Sequence, residues 1–388
     1  MNRIKKSILI VGLVSFGHFW HDIFTAFITP LLPVIKESLD LNYIHTGGIL
    51  VASKLPSLLS ANIAGYSEKH NPKWFVIFCP LITAISISLL GISGSYPILL
   101  TLVFIAGISS AGFHIPVPTL LKKSAPNRIV SAMTAFQIGG EAARTLGPIV
   151  IVLILATIGF KRMYLLIPAS IIVSLLFYLA FNKIDLTIAE KNKTKGSVLE
   201  TLKQGKFLFL LVAGISLQKA ILSTVVRSFL PLYLNNQGES LLLANGALSI
   251  VQGSAVAGVI TAGFFIDKIG ASKILYTIIS ASMLLVILFT FLPQLPLVPI
   301  LILLGFFSFS STPAIYTLIQ NYGFTFPTTA NGIFMTFSFG ISSLVLLAAG
   351  GISDYISINY MYKLFALLSL VGIPLLILLK ALPSKSSY

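Results

Sequence analysis

The sequence predicts an all-α membrane protein of twelve transmembrane helices arranged as two pseudo-symmetric six-helix bundles. Three observations carry that prediction: a composition too apolar for a water-facing surface, twelve apolar stretches of spanning length, and a loop motif that occurs once in each half. Of the 388 residues 56% are hydrophobic and only 10% charged, and mean hydropathy is +0.96, whereas a soluble chain carries about 25% charged residues. With Cys79 alone there is neither a disulfide framework nor a thiolate metal cluster. The composition thus excludes a secreted scaffold, a zinc-ribbon protein and a soluble enzyme. The excess of 26 Lys and Arg over 11 Asp and Glu reads, in a bilayer, as cytoplasmic loops against anionic headgroups rather than as a nucleic-acid surface.

A spanning helix needs about 20 mostly apolar residues. The first stretch, Ile8 to Val34, follows Arg3, Lys5 and Lys6. It is too long for the apolar core of a signal peptide and lacks a small-residue cleavage site, so it is expected to be a retained helix. Ile44 to Tyr66 ends at a charged loop, Trp74 to Ile92 at a Gly-Ser turn, and Pro97 to Leu121 opens on proline and closes on Lys122 and Lys123. Val130 to Ile158 and Tyr164 to Phe181 flank Lys161 and Arg162 and complete the first half. The second half gives Phe207 to Leu234, Leu241 to Ile266, Ile274 to Leu292, Pro296 to Gln320, Thr329 to Ile352 and Tyr360 to Leu379. The one long polar stretch, residues 183–206, divides the chain into an N-terminal bundle over 1–182 and a C-terminal bundle over 207–388. It reads as a solvated cytoplasmic linker with a short interfacial helix from Val198 to Gln204.

Basic residues are retained on the cytoplasmic side. With the N-terminus inside, eighteen of the twenty-six Lys and Arg fall in cytoplasmic segments, four on the opposite side and four within helices. Both termini are therefore expected in the cytoplasm, and the protein in the inner (plasma) membrane.

The halves share a motif. After helix two stand Ala64, Gly65, Glu68 and Lys69, and after helix eight Gly263, Asp267 and Lys268, in each case a small residue, an acid four positions on and a base directly after it. The small residue admits close approach of helix ends, the acid can pair with a neighbouring helix end, and the base holds the loop at the headgroups. This pattern resembles the loop signature of the major facilitator superfamily over the full chain. The resemblance implies two bundles around a central cavity and alternating access.

Further motifs resemble the fosmidomycin-resistance branch of efflux proteins. Gly17-His18-Phe19-Trp20-His21-Asp22 is similar to its S-H-x-x-N-D, and Gly112-Phe113-His114 to its F-H-P-E region. Phe136-Gln137-Ile138-Gly139-Gly140-Glu141 with Leu146-Gly147-Pro148 is similar to F-Q-V-G-G-N and L-G-P, and Lys219 and Tyr362-Lys363 also resemble that family. His21, Pro116 and Glu141 depart from the pattern, as do Arg144 and Arg227, so the embedded acid moves from helix four to helix five. The resemblance implies drug-resistance efflux by proton-coupled antiport.

Charges at a helix centre cost about 2.5–3.5 kcal/mol on insertion scales and normally face a cavity or a partner. Here the embedded set is His18, His21, Asp22, Lys54, His114, Glu141, Arg144, Lys219 and Arg227, four full bases against two acids. The surplus of positive charge points to an anionic or zwitterionic substrate, bound by Lys219, Arg144, Arg227, His114, His21, Gln137 and Lys54. Asp22, Glu141 and His18 are the proton-coupling candidates, His18 and Asp22 lying at i, i+4 and Glu141 and Arg144 at i, i+3. The structural alternative is a fixed Glu141–Arg144 ion pair, and for Lys54, close to Pro56, ammonium contacts to freed carbonyls.

A second transport reading makes His18, His21, Asp22, His114 and Glu141 ligands of an exported divalent transition metal, against which the neighbouring cations argue. A third keeps the fold as a receptor or lipid-handling protein without proton coupling. No phosphate-binding loop or nucleophile–base arrangement occurs, so no cofactor and no enzyme activity are expected. The expected partners are a small-molecule substrate, protons and the lipid bilayer, with the chain a monomer.

Overall fold

The structure, a computed structural model, describes residues 3–59, 73–125, 129–181, 198–325 and 327–381, and among them every regular element is helical. They fall into two compact units. One comprises Met1–Leu41 with Gly48–Asn192, the other Asn42–Gly47 with Lys193–Tyr388.

In the first unit the helices are α1 (Arg3–Thr25), α2 (Ile28–Ser38), α3 (Tyr43–Lys54), α4 (Lys73–Ser88), α5 (Tyr96–His114), α6 (Val117–Ser124), α7 (Ile129–Thr157) and α8 (Ile167–Phe181). The first six residues of α3's neighbourhood, Asn42–Gly47, group with the second unit. Several expected spans are broken, and proline marks the place. The fourth stretch divides at Ile115 and Pro116 into α5 and α6, because a proline lacks the N–H for the preceding turn and its ring crowds that turn's carbonyl. The second runs from α3 into a 3-10 turn at Leu55–Leu59 that contains Pro56. The remainder of that stretch, with the motif residues Gly65, Glu68 and Lys69, lies outside the described residues.

The second unit holds α9 (Val198–Gln204), α10 (Lys206–Ser223), α11 (Leu230–Asn236), α12 (Leu241–Ile269), α13 (Ala271–Phe291), α14 (Leu297–Ser308), α15 (Ser311–Asn321), α16 (Pro327–Tyr355), α17 (Ile358–Leu368) and α18 (Gly372–Ala381). The seventh expected stretch is interrupted by a π-helical turn at Thr224–Ser228 before Pro231. The motif expected in the loop after helix eight is helical: α12 continues past Ile266 and ends at Gly270, whose φ of 89° is open to glycine at no steric cost. Gly263, Asp267 and Lys268 therefore sit on its last turns, and Lys268 lies 4.0 Å from the centre of the Phe264 ring. Among the described residues eleven helical runs are long and apolar enough to cross a membrane.

Each unit has its own apolar core. In the first, Ile10 and Val14 of α1 meet Val76 and Ile77 of α4, Phe113 of α5, Phe136 of α7 and Phe177 of α8. In the second, Val212 and Ile215 of α10 meet Leu275 of α13, Ala314 and Ile315 of α15 and Phe334 of α16. Two carboxylate oxygens of Asp354, at the end of α16, accept hydrogen bonds from the Tyr43 and Ile44 backbone amides at 2.6 and 2.8 Å. That carboxylate satisfies two of the donors that every helix N-terminus leaves unpaired, and it complements the positive end of the helix dipole.

The α1–α7 contact positions the site described next. A methyl group at Gly139 would fall on the Ser15 carbonyl, one at Gly140 on the His18 ring, and one at Gly147 within 2.6 Å of the Ala26 side chain. Only glycine at these places lets the two backbones approach closely enough for side chains of α1 and α7 to meet end to end.

Candidate functional site

Asp22 is the centre of the site. It lies one turn after His18 on α1 and is 3% exposed at its side chain. Four groups surround its two oxygens. Oδ2 accepts a hydrogen bond from Arg144 Nη1 of α7 at 2.8 Å and lies 3.2 Å from His18 Nε2. Oδ1 lies 2.9 Å from His21 Nδ1 and 3.3 Å from His114 Nε2 of α5. A carboxylate buried away from water needs such partners, since an isolated one would cost far more than folding can recover.

Arg144 does not serve Asp22 alone. Its Nη2 donates to Glu141 Oε1, and its Nε reaches Glu141 Oε2 at 3.4 Å. One guanidinium thus spans two carboxylates, a fork geometry that suits arginine and that lysine could not reproduce. The two acids differ in surroundings: Glu141 is 36% exposed at its side chain where Asp22 is sealed, and Arg144, at 32%, reaches from one to the other. His114, 35% exposed, stands at the same open margin.

Aromatic rings fix the imidazoles. His18 stacks on Phe136 at a ring-centre distance of 3.9 Å, and His21 stacks on Phe113 at 5.1 Å with the planes 7° apart. The Nδ1 of His18 also lies 2.6 Å from the backbone oxygen of Phe136. His114 approaches His18 and His21 edge-on.

Six of the residues singled out in the sequence therefore meet in the first unit: His18, His21, Asp22, His114, Glu141 and Arg144. The His18–Asp22 and Glu141–Arg144 pairs form at their helical spacings, and the Arg144–Asp22 link joins them. Gln137 is exposed on α7, and Lys54 closes α3 as a half-buried residue. In the second unit Lys219 of α10 donates from Nζ to the Thr312 hydroxyl of α15 at 2.5 Å. Arg227, inside the π-helical turn, lies 5.0 Å from the centre of the Phe309 ring. Thr312 and Phe309 escaped the sequence reading. The run Ser308 to Pro313, four hydroxyls in an otherwise apolar span, was the available signal.

Ligand atoms of His18, Asp22 and His114 lie within 4.8 Å of one another, close enough in distance to meet a divalent ion. The donor set does not fit one. Oδ2 already accepts from a guanidinium at 2.8 Å, and a divalent cation there would face a fixed positive charge at hydrogen-bond range.

Residues 14–345 match the sequence profile of the Major Facilitator Superfamily. The chain belongs to the major facilitator superfamily. Within this superfamily of membrane transporters it is similar to the fosmidomycin resistance protein of Escherichia coli (strain K12), at 25% identity over 384 residues that cover 95% of this chain and 92% of the relative. It is also similar to the uncharacterized MFS-type transporter YfnC of Bacillus subtilis (strain 168), at 25% identity over 177 residues, 44% of this chain and 42% of that protein. Among solved structures, the nucleoside transporter NupG superposes with a TM-score of 0.75 at 16% identity over the whole of both chains. A bacterial homologue of the human lysosomal transporter Spinster gives 0.75 at 14% identity, covering 98% of this chain and 96% of that one. The likeness to the solved structures is one of fold alone; the family match is what makes the chain a multi-pass membrane transporter.

Proposed function

We propose that this transporter is a proton-coupled antiporter that exports a small anionic or zwitterionic organic compound of the phosphonate type by alternating access. The observation that carries the proposal is the single guanidinium of Arg144 shared between sealed Asp22 and half-open Glu141. A substrate anion arriving from the open side competes with Glu141 for that cation. Whichever partner Arg144 serves therefore sets the charge that Glu141 and Asp22 present, which links substrate binding to the protons these carboxylates carry. Lys219, presented by Thr312, and Arg227 supply further positive charge for the anionic group, and His114, His21, Gln137 and Lys54 complete the proposed substrate set. Likeness to a fosmidomycin resistance protein supports export and the phosphonate class.

The rest of the assignment follows the same reading. The bundles are residues 1–182 and 207–388, joined by a cytoplasmic linker over 183–206. The chain works as a monomer in the inner membrane with both termini in the cytoplasm. Gly65, Glu68 and Lys69, with Gly263, Asp267 and Lys268, gate the conformational change at the cytoplasmic face. Energy comes from the proton gradient rather than from a cofactor.

The test is phosphonate uptake into everted vesicles under an imposed pH gradient, for the native protein and for Glu141→Gln and Lys219→Ala. The proposal expects uptake driven by an acidic lumen and lost in both variants. Uptake of Ni²⁺, Co²⁺ or Zn²⁺ in its place, abolished by His18→Ala but surviving Lys219→Ala, would replace the anion by a metal ion.

A further inference from the structure

The break after α10 is built around one displaced carbonyl. In a regular α-helix the amide of Phe229 would donate to the carbonyl four residues back, that of Val225. Here it donates to the Thr224 carbonyl, five residues back, at 2.9 Å, and Thr224–Ser228 forms the π-helical turn. The Val225 carbonyl is met instead by a side chain: the Tyr362 hydroxyl of α17 donates to it at 2.7 Å. A buried carbonyl that has lost its helical donor in a membrane protein needs such a replacement.

Tyr362 holds both sides of the break. It is fully buried, with its hydroxyl on the turn and its ring stacked on Tyr233 of α11, the helix that follows, at a centre distance of 3.8 Å and planes 18° apart. Phe289 of α13 closes on both rings, 6.1 Å from Tyr233 and 6.4 Å from Tyr362. The ring would pack there without its oxygen, so the hydroxyl's contact with the turn is a separate device.

The turn decides where Arg227 goes. Between Gln218 and Tyr233 only Lys219, Ser223 and Arg227 are half-buried, and every other residue is buried. These three, at i, i+4 and i+8, form one open stripe. In a regular helix positions eight apart lie about 80° round the axis. The wider π-turn takes up extra chain and brings Arg227 back toward the Lys219 side. The far ends of the two cations then reach one short segment. Lys219 Nζ lies on the Thr312 hydroxyl and Arg227 lies 5.0 Å from the centre of the Phe309 ring, residues three apart where α14 gives way to α15.

We propose that Tyr362 is a positioning residue of the substrate site: its hydroxyl holds the π-turn that aims Arg227 at the segment Lys219 also reaches, so that guanidinium and ammonium together meet the substrate's anionic group. The role toward substrate rests on the anion-export reading above. Tyr362 itself is sealed behind the turn and touches no substrate.

The test uses Tyr362→Phe, which removes one oxygen and keeps the ring stack. Val225-Val226 is the one Val-Val pair in the chain. Protein labelled with ¹³C-carbonyl and ¹⁵N valine, in nanodiscs without substrate, therefore gives a single carbonyl–nitrogen cross-peak, and its carbon is that of Val225. In Tyr362→Phe this carbon should move upfield, the direction of a lost hydrogen bond, and an unmoved signal overturns the latch. In everted vesicles the phosphonate KM of Tyr362→Phe should rise about tenfold, as for loss of one hydrogen bond to a charged group, with little change in the maximal rate. In an Arg227→Gln background the same substitution should change KM no further. A residue that only stabilises the fold would lower the maximal rate and leave KM in place, or would add its effect to that of Arg227→Gln, and either result overturns the assignment. Absence of phosphonate uptake by the native protein overturns the anion-export reading and with it the role of Tyr362 toward substrate, while the Val225 signal still decides whether the hydroxyl holds the turn.

Discussion

Removing Arg144 should destabilise the first unit far more than removing Glu141, although the two form one ion pair. In Arg144→Met, Asp22 is left 3% exposed with only imidazoles around it, and stripping the partner from a buried charge costs about 3–5 kcal/mol. Because Arg144 is itself 32% exposed, water can enter part of the space it vacates, which places the cost near the lower end, about 3 kcal/mol. In Glu141→Gln the lost partner is 36% exposed, and pairs open to solvent contribute about 0–1 kcal/mol. The test is a double-mutant cycle. Arg144→Met, Asp22→Asn and their combination are unfolded in lipid nanodiscs, with Glu141→Gln alongside. The double variant removes both charges, so it should be more stable than the sum of the single losses by about 2–3 kcal/mol. Additive losses, or a Glu141→Gln variant as unstable as Arg144→Met, would refute the view that Asp22 is the sealed partner and Glu141 the open one.

Other substitutions have equally direct outcomes. Gly140→Ala drives a methyl group into the His18 ring. Overpacking of this kind costs about 1–3 kcal/mol, which unfolding of the variant in detergent should show. Asp354→Ala removes the acceptor of the Tyr43 and Ile44 amides, and unfolding in detergent should show a loss of about 1 kcal/mol, the usual worth of a helix cap. Thr312→Val removes the oxygen that holds Lys219 Nζ, and phosphonate KM should rise with little change in the maximal rate. A rate loss at unchanged KM would remove Lys219 from the substrate site.

The two short-range ion pairs were legible because helical periodicity alone brings His18 to Asp22 and Glu141 to Arg144. The link that matters most, Arg144 to Asp22, joins positions 122 apart. No spacing rule reaches across that distance. It depends on how closely α1 and α7 approach, and the glycines at 139, 140 and 147 that permit the approach stand in the sequence only as parts of family-like motifs. The helix breaks near Pro56, Pro116 and Pro231 fall inside stretches read as single spans, because a count of apolar residues passes over proline's missing donor. The extension of α12 through Asp267 and Lys268 was missed as well, because charged residues suit the last turn of a helix as well as they suit a loop. The Asp354 cap was hidden for a related reason: an acid near a span's end has no sequence mark that distinguishes a headgroup contact from a cap on a distant helix.

Proton release from everted vesicles on addition of a phosphonate tests the central claim most directly. The account expects an alkalinisation of the acidic lumen that follows phosphonate entry, present in the native protein and absent in Glu141→Gln and His18→Gln. Phosphonate entry that leaves lumenal pH unchanged in the native protein, or proton release that persists in both variants, would contradict it.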